Sequence, residues 1–173
     1  MEIPRAKGYS IWLMFEKNFE EYFQSLINQF SSELNSPNFL PHITLIAGLD
    51  GNEDELIKRF DNFFQLHSFE VKCNGIAYSD EFYRSLYIKV RKDETLKNLF
   101  EFASRIFDVN LDFEKFLPHI SLLYSFAKED LKKRLIAEHL QKYPEKILIT
   151  RIAFWKTKGL PADWKMLKIF ELK

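Results

Sequence analysis

The sequence predicts an α+β fold of two pseudo-symmetric lobes, each an antiparallel sheet flanked by outer helices, with a central cleft between them. Three observations carry this prediction. First, a segment is repeated: Phe39-Leu40-Pro41-His42-Ile43-Thr44-Leu45 returns as Phe116-Leu117-Pro118-His119-Ile120-Ser121-Leu122, identical at six positions and exchanging one hydroxyl residue for another at the seventh. Second, the two copies lie 77 residues apart, too few and too widely spaced for a stacked solenoid and suited to a twofold-related pair. Third, segments of strand-like alternation and of helical periodicity follow one another without a low-complexity linker, so residues 1–173 read as a single two-lobed domain.

Taken in order, Tyr9 to Phe15 reads as a strand. From Phe19, the apolar residues Tyr22, Phe23, Leu26, Ile27 and Phe30 fall along one side of a helix, for which Asn18 with Glu21 supplies a start. The first copy of the repeat sits on the next strand. The turn Gly48-Leu49-Asp50-Gly51-Asn52 leads into a second helix with Leu56, Phe60, Phe63 and Phe64 on one face, ended by His67. Phe69 to Ala77 and Tyr83 to Val90 read as strands on either side of the Ser79-Asp80-Glu81 turn, and Leu96, Leu99, Phe100, Ala103 and Phe107 mark a third helix. His119 to Tyr124 is the next strand. A fourth helix runs from about Lys128 to Gln141 with His139 in its apolar stripe, and strands near Ile147 to Lys156 and Trp164 to Leu172 flank the loop Thr157-Lys158-Gly159-Leu160-Pro161.

Composition narrows the chemistry. The 25 Lys and Arg balance the 25 Asp and Glu, the wrong charge for gripping a long nucleic-acid duplex. Cys73 stands alone, so no intrachain disulfide forms and the thiols for a Cys/His zinc site are lacking. Five glycines, at 8, 48, 51, 75 and 159, spell neither a dinucleotide-binding nor a Walker fingerprint, and no nucleotide cofactor of those classes is expected. There is no Gly-x-Ser-x-Gly elbow and no His-Glu-x-x-His helix. The start lacks an apolar signal core and no stretch is long and apolar enough for a span, so a cytoplasmic protein without membrane contact is expected. The 18 Phe read as core filling.

The repeat carries the chemistry. Side chains alternate along a strand, so His42 and Thr44 share one face while His119 and Ser121 share the matching face in the other lobe. If the twofold brings these strands together, the cleft receives two imidazoles and two hydroxyls directed at one point. A neutral ring can accept a proton from an attacking nucleophile while a charged ring donates one to a leaving oxygen, and the hydroxyls can hydrogen-bond the non-bridging oxygens of a phosphate ester. Neither a metal nor a cofactor is required. The other histidines, His67 and His139, have structural explanations.

At these residues the sequence resembles the two-histidine (2H) phosphoesterase superfamily, marked by paired His-x-Thr/Ser-x motifs in two pseudo-symmetric lobes. Within it the chain looks most like the cyclic phosphodiesterases of plants and fungi. The resemblance runs through Tyr9-Ser10-Ile11-Trp12, both His motifs, Tyr83-Arg84-Ser85-Leu86-Tyr87 and a closing Trp164. The basic residue that follows the motifs in the RNA ligase-like branch is replaced by Ile46-Ala47 and Leu123-Tyr124.

The resemblance implies metal-independent hydrolysis of ADP-ribose 1″,2″-cyclic phosphate and of nucleoside 2′,3′-cyclic phosphates to 2′-phosphates. His42 and His119 are then the acid/base pair, Thr44 and Ser121 hold the phosphate, and Tyr124 and Trp12 contact phosphate or base. His119 would activate water and His42 protonate the departing 3′ oxygen, an order that near-symmetric motifs leave reversible. Strand parity turns Tyr124 away from the cleft unless a bulge or strand end intervenes. Arg84 could supply countercharge, although a solvated surface arginine is the expectation from base rates. A small nucleotide is the expected partner of a monomer. The alternatives are an RNA-end enzyme guided by Lys156, Lys158, Lys165 and Lys168, and a nucleotide- or RNA-binding module without catalysis.

Overall fold

The computed structural model describes residues 2–173. Its elements are β1 (Tyr9–Phe15), α1 (Lys17–Leu34), β2 (Ile43–Leu49), α2 (Glu53–Phe60), β3 (Phe69–Tyr78), β4 (Leu86–Val90), α3 (Glu94–Phe107), β5 (His119–Leu123), α4 (Glu129–His139), β6 (Lys146–Lys156) and β7 (Lys165–Glu171). All seven strands join one antiparallel sheet in the order β1-β2-β5-β4-β3-β6-β7. A further pairing of β6 with β1 brings the first six round into a ring, with β7 beside β6. The α+β class with antiparallel strands and outer helices is as the sequence predicts.

The two halves meet at the repeat. β2 and β5 pair at a single register position, Ile43 opposite Ile120, which are equivalent residues of the two copies. An antiparallel pair registered on equivalent residues has a local twofold axis between them. That axis places His42 and His119 on either side of the junction.

Alternation decides what each strand face does. Ile11, Leu13 and Phe15 on one face of β1 join Phe23, Ile27 and Phe30 of α1 in a core that also takes Ile43, Ile88 and Ile120 from both halves. Trp12 and Met14 on the opposite face pack with Ala153 and Trp155. Both faces are therefore covered, which is why β1 is buried from Ser10 to Phe15. The predicted stripe of α3 is buried throughout, and the Asp93 side chain accepts from the Leu96 N–H at 3.0 Å to cap it.

Some boundaries differ from expectation. α1 begins at Lys17 rather than beyond Asn18, with Glu16 at the cap position and no side-chain capping bond. α2 ends at Phe60 and passes into a 3₁₀ turn, Asp61–Phe63. Three residues per turn keep Phe63 in line with Phe60, both buried, and swing Phe64 outward to 53% exposure. His67 therefore lies beyond the helix rather than ending it. Residues expected to open the fourth strand, Tyr83 and Arg84, instead lie in a 3₁₀ turn, Phe82–Arg84. The β3–β4 register stops at Tyr78 opposite Leu86, so residues 79–85 are the hairpin loop.

Gly8, just before β1, has φ +70°, and a Cβ there would lie 2.1 Å from the Leu49 carbonyl oxygen. Only glycine combines that backbone conformation with that approach. Gly8→Ala is expected to cost at least about 2 kcal/mol by forcing β1 and β2 apart. Urea unfolding checks this, and a variant within about 0.5 kcal/mol of the parent would contradict it.

Candidate active site

The repeat fixes both imidazoles in the same way. Nδ1 of His42 lies 2.6 Å from the Leu40 carbonyl oxygen, and Nδ1 of His119 lies 2.6 Å from that of Leu117. A carbonyl oxygen only accepts, so each Nδ1 carries its hydrogen and each Nε2 is left for other work. The intervening Pro41 and Pro118 restrict the preceding leucines to extended backbone. The Leu-Pro-His tripeptide is thus a device for setting the tautomer as well as the position of the ring.

His42, His119, Thr44, Ser121, Tyr124 and Trp12 all line one cavity of about 460 Å³. These six candidate residues are brought to the same place, whereas Lys156, Lys158, Lys165 and Lys168 lie outside its lining. His42 is buried and His119 partly exposed. The His42 ring feels the charge of His119: burial pushes His42 down to about 3, the Leu40 bond opposes this, and His119 adds to the depression. His119 is also lowered by burial, opposed by its bond to Leu117 and reinforced by the charge of Arg84. With the cleft empty, both rings are neutral at pH 7.

Tyr124 reaches the cavity because β5 ends at Leu123, so strand alternation no longer governs it. Its ring stacks on Phe39 at 3.5 Å between centroids, and burial raises its hydroxyl far above the ordinary value. Trp12 serves the core and the cavity together. It lies parallel to His42, with centroids 3.5 Å apart and planes 5° apart, and stacks on Trp155 at 4.2 Å. The Ser121 hydroxyl donates to the Tyr83 carbonyl at 2.8 Å, so its oxygen lone pairs face the cleft more readily than its proton. Thr44 is partly buried on the opposite strand.

Sequence reasoning missed several walls of this cavity. Ser10 shares a β1 face with Trp12, a period-two signal that was available, and its Oγ lies 2.8 Å from Thr157 Oγ1. Tyr83 joins the wall through the loop after β3, and its hydroxyl donates to the Pro4 carbonyl. Arg84 corrects the expectation of a solvated surface residue. Its side chain is 18% exposed, lines the cavity and pairs with Glu81 at 2.6 Å. The loop is held by enough tertiary bonds to keep the arginine inward.

Glu81 is the one carboxylate among the cavity-lining residues, and it is engaged by Arg84. The other acidic cluster with a histidine, Glu33, Glu138 and His139, lies on α1 and α4 outside the cavity. Arg134 contacts both of its carboxylates and Gln29 approaches the imidazole, which makes it an ion-pair network.

The model of the family described as cyclic phosphodiesterase-like protein matches residues 7–160, a span that includes both histidine motifs. The chain belongs to that family. It is a member of the 2H phosphoesterase superfamily, as the paired motifs imply. A cyclic phosphodiesterase of Arabidopsis thaliana is 24% identical over 134 residues, 77% of this chain and 74% of that protein. A 2′,3′-cyclic-nucleotide 3′-phosphodiesterase of Phaeosphaeria nodorum is 30% identical over 132 residues, 68% of each chain. Escherichia coli LigT complexed with 3′-AMP has the same fold, with a TM-score of 0.56 at 13% identity over 98% of this chain and 99% of that one. No helix among the described residues is long and apolar enough to cross a membrane.

Proposed function

We propose that the protein is a metal-independent cyclic phosphodiesterase that opens the 2′,3′-cyclic phosphate of small nucleotides to the 2′-phosphate, and ADP-ribose 1″,2″-cyclic phosphate likewise. The observation that carries this reading is the pair of imidazoles, each anchored through Nδ1 and each lining the same cavity. Family membership and the names of the Arabidopsis and Phaeosphaeria relatives point the same way. The cavity's donor set, two imidazoles and one engaged carboxylate, suits proton transfer better than a catalytic metal.

In this reading water attacks phosphorus, His119 Nε2 takes its proton, the P–O3′ bond breaks and His42 gives a proton to O3′. His119 is the partly exposed ring, where water arrives. His42 lies flat against Trp12, an arrangement that favours imidazolium once an anionic phosphate is beside it. Thr44 donates to a non-bridging oxygen, Ser121 does so once its proton turns from the Tyr83 carbonyl to the phosphate, and Tyr124 and Trp12 form the wall against the nucleotide. The residues invoked all come from one chain, in keeping with a monomer.

A small substrate is favoured over an RNA strand because half of the basic strip is neutralised. Lys156 pairs with Glu53 at 2.8 Å, and Lys168 pairs with Asp61. Turnover should therefore respond weakly to salt, whereas an RNA end gripped by several cations would bring a steep dependence.

The test is a product assay in EDTA on the four nucleoside 2′,3′-cyclic phosphates, ADP-ribose 1″,2″-cyclic phosphate and a short RNA with a cyclic end. Formation of 2′-phosphates from the small substrates is expected; cyclic nucleotide bound without turnover between pH 4 and 8 would refute the reading. The pH profile follows from the depressed rings. The reactive pair carries one proton, and both rings lie below 6.5 in the free protein, His42 near 3. Hence kcat/KM should rise as pH falls from 8 through 6.5, with both limbs on the acid side, and the kcat limbs should lie higher because bound phosphate stabilises imidazolium. A kcat/KM that climbs from pH 6 to 8.5 would contradict the two-imidazole scheme.

A further inference from the structure

We infer that Arg84 is the residue that binds and orients the substrate's phosphate from the His119 side of the cleft, a role that rests on the two-histidine reading above. Four observations converge on it. Arg84 lines the cavity of both histidines beside His119 and Ser121, and with Thr44 and His119 it also faces a second, more open cavity of about 500 Å³. It thus stands where two cavities meet, next to the reacting groups. Its Nε is buried and meets no acceptor among the described residues. A buried donor left without a partner is costly in an empty site and is satisfied when an anion arrives.

The third observation is the asymmetry of its ion pair. Arg84 is 18% exposed in its side chain, whereas its partner Glu81 is 68% exposed. The carboxylate lies in solvent, where its field is screened, while the guanidinium faces the lower-dielectric cleft. Glu81 is engaged through Nη2 alone, so the planar fork keeps unpaired N–H donors, the buried Nε–H among them, to offer a phosphate oxygen. Lys7 is the other cation on the cavity wall, and it is exposed.

The fourth is preorganisation. Ser79 Oγ donates to the Arg84 carbonyl at 2.7 Å, and Ser79 N–H donates to the Ser85 carbonyl at 3.0 Å. The Ser79 carbonyl in turn accepts from Lys132 Nζ at 2.6 Å, and Lys132 on α4 is 1% exposed. A buried lysine is expensive unless it is bonded, and here its bond ties α4 to the loop that carries the arginine. The guanidinium also lies 5.6 Å from the Tyr87 ring, which itself contacts His119 at 5.3 Å. A phosphate held between Arg84 and His42 therefore sits against His119.

The experiment uses the full chain with labelled histidines. Inorganic phosphate is titrated into the parent, R84K and R84Q while the imidazole resonances are followed by NMR, and kcat and KM are measured on 2′,3′-cyclic AMP. In R84Q, phosphate affinity should fall about tenfold or more and kcat/KM roughly 100-fold. The His119 resonance should titrate at higher pH once the neighbouring charge is gone. R84K, which keeps charge but loses the fork, should fall between and covers the case in which R84Q does not fold. Phosphate affinity and kcat/KM within about threefold of the parent in R84Q, or in R84K if only that variant folds, would overturn the assignment. A parent that binds phosphate through Arg84 but hydrolyses no cyclic phosphodiester would leave the anion site standing and remove the reading on which it was built.

Discussion

Replacing either His42 or His119 with alanine should lower kcat by about 10²- to 10⁴-fold, and replacing both should cost little more than the worse single variant. In the proposed mechanism each ring performs one half of a single proton exchange, and half an exchange is of little use. Each single variant should also lose one limb of the pH profile, because the remaining ring titrates without its partner. The folded state supplies an independent check for His42. Its folded value lies near 3 against an ordinary 6.5, so the unfolded chain binds the extra proton first as pH falls. The parent is thus fully stabilised above pH 6.5 and loses stability progressively toward pH 3, and H42A should lose less over that window. Melting temperatures at pH 7.5 and 5 measure the difference. Activity within tenfold of the parent in either single variant would remove that ring from the mechanism.

Trp12→Ala should destabilise the fold by about 3–5 kcal/mol, whereas Trp12→Phe should cost less than about 1.5 kcal/mol. The indole is 2% exposed and supports three neighbours: the His42 ring, Trp155 at 4.2 Å and Trp164 at 5.8 Å. Removing it opens a hole behind His42, and the polar neighbours Ser10 and Thr157 invite water into it. The alanine variant should therefore lose kcat as well as stability, while phenylalanine restores a flat apolar face for the ring. Urea unfolding with parallel kinetics tests this. A loss below about 1 kcal/mol in W12A would show that the cluster closes over the gap.

How far the sequence revealed this arrangement depended on what each residue needed to know. β1 and the stripe of α3 were legible because a local period decides them and nothing distant contradicts it. The two motifs were legible because each copy served as a control for the other. Phe64 and His67 were misplaced because a 3₁₀ turn replaces the last turn of a helix, and apolar spacing at 60, 63 and 64 fits both until the change of pitch is known. Tyr124 needed only the end of a strand. Arg84 was illegible for a different reason. Its inward position depends on Lys132, almost fifty residues further along, reaching the loop from another helix, and no local pattern carries that information.

The pairing of Ile43 with Ile120 has a consequence for the direction of the chemistry. A phosphorus atom poised on the axis through that pair would meet two hands of the same shape, each with its imidazole tethered by the same tripeptide. Nothing in the duplicated segments distinguishes donor from acceptor. What breaks the tie is scenery: an indole behind one ring, a guanidinium and a phenol beside the other. Under the proposed mechanism, the choice of ester bond would be written in residues 12, 84 and 87 rather than in the histidines, and an engineer wishing to reverse the outcome would exchange the backdrops and leave the actors in place.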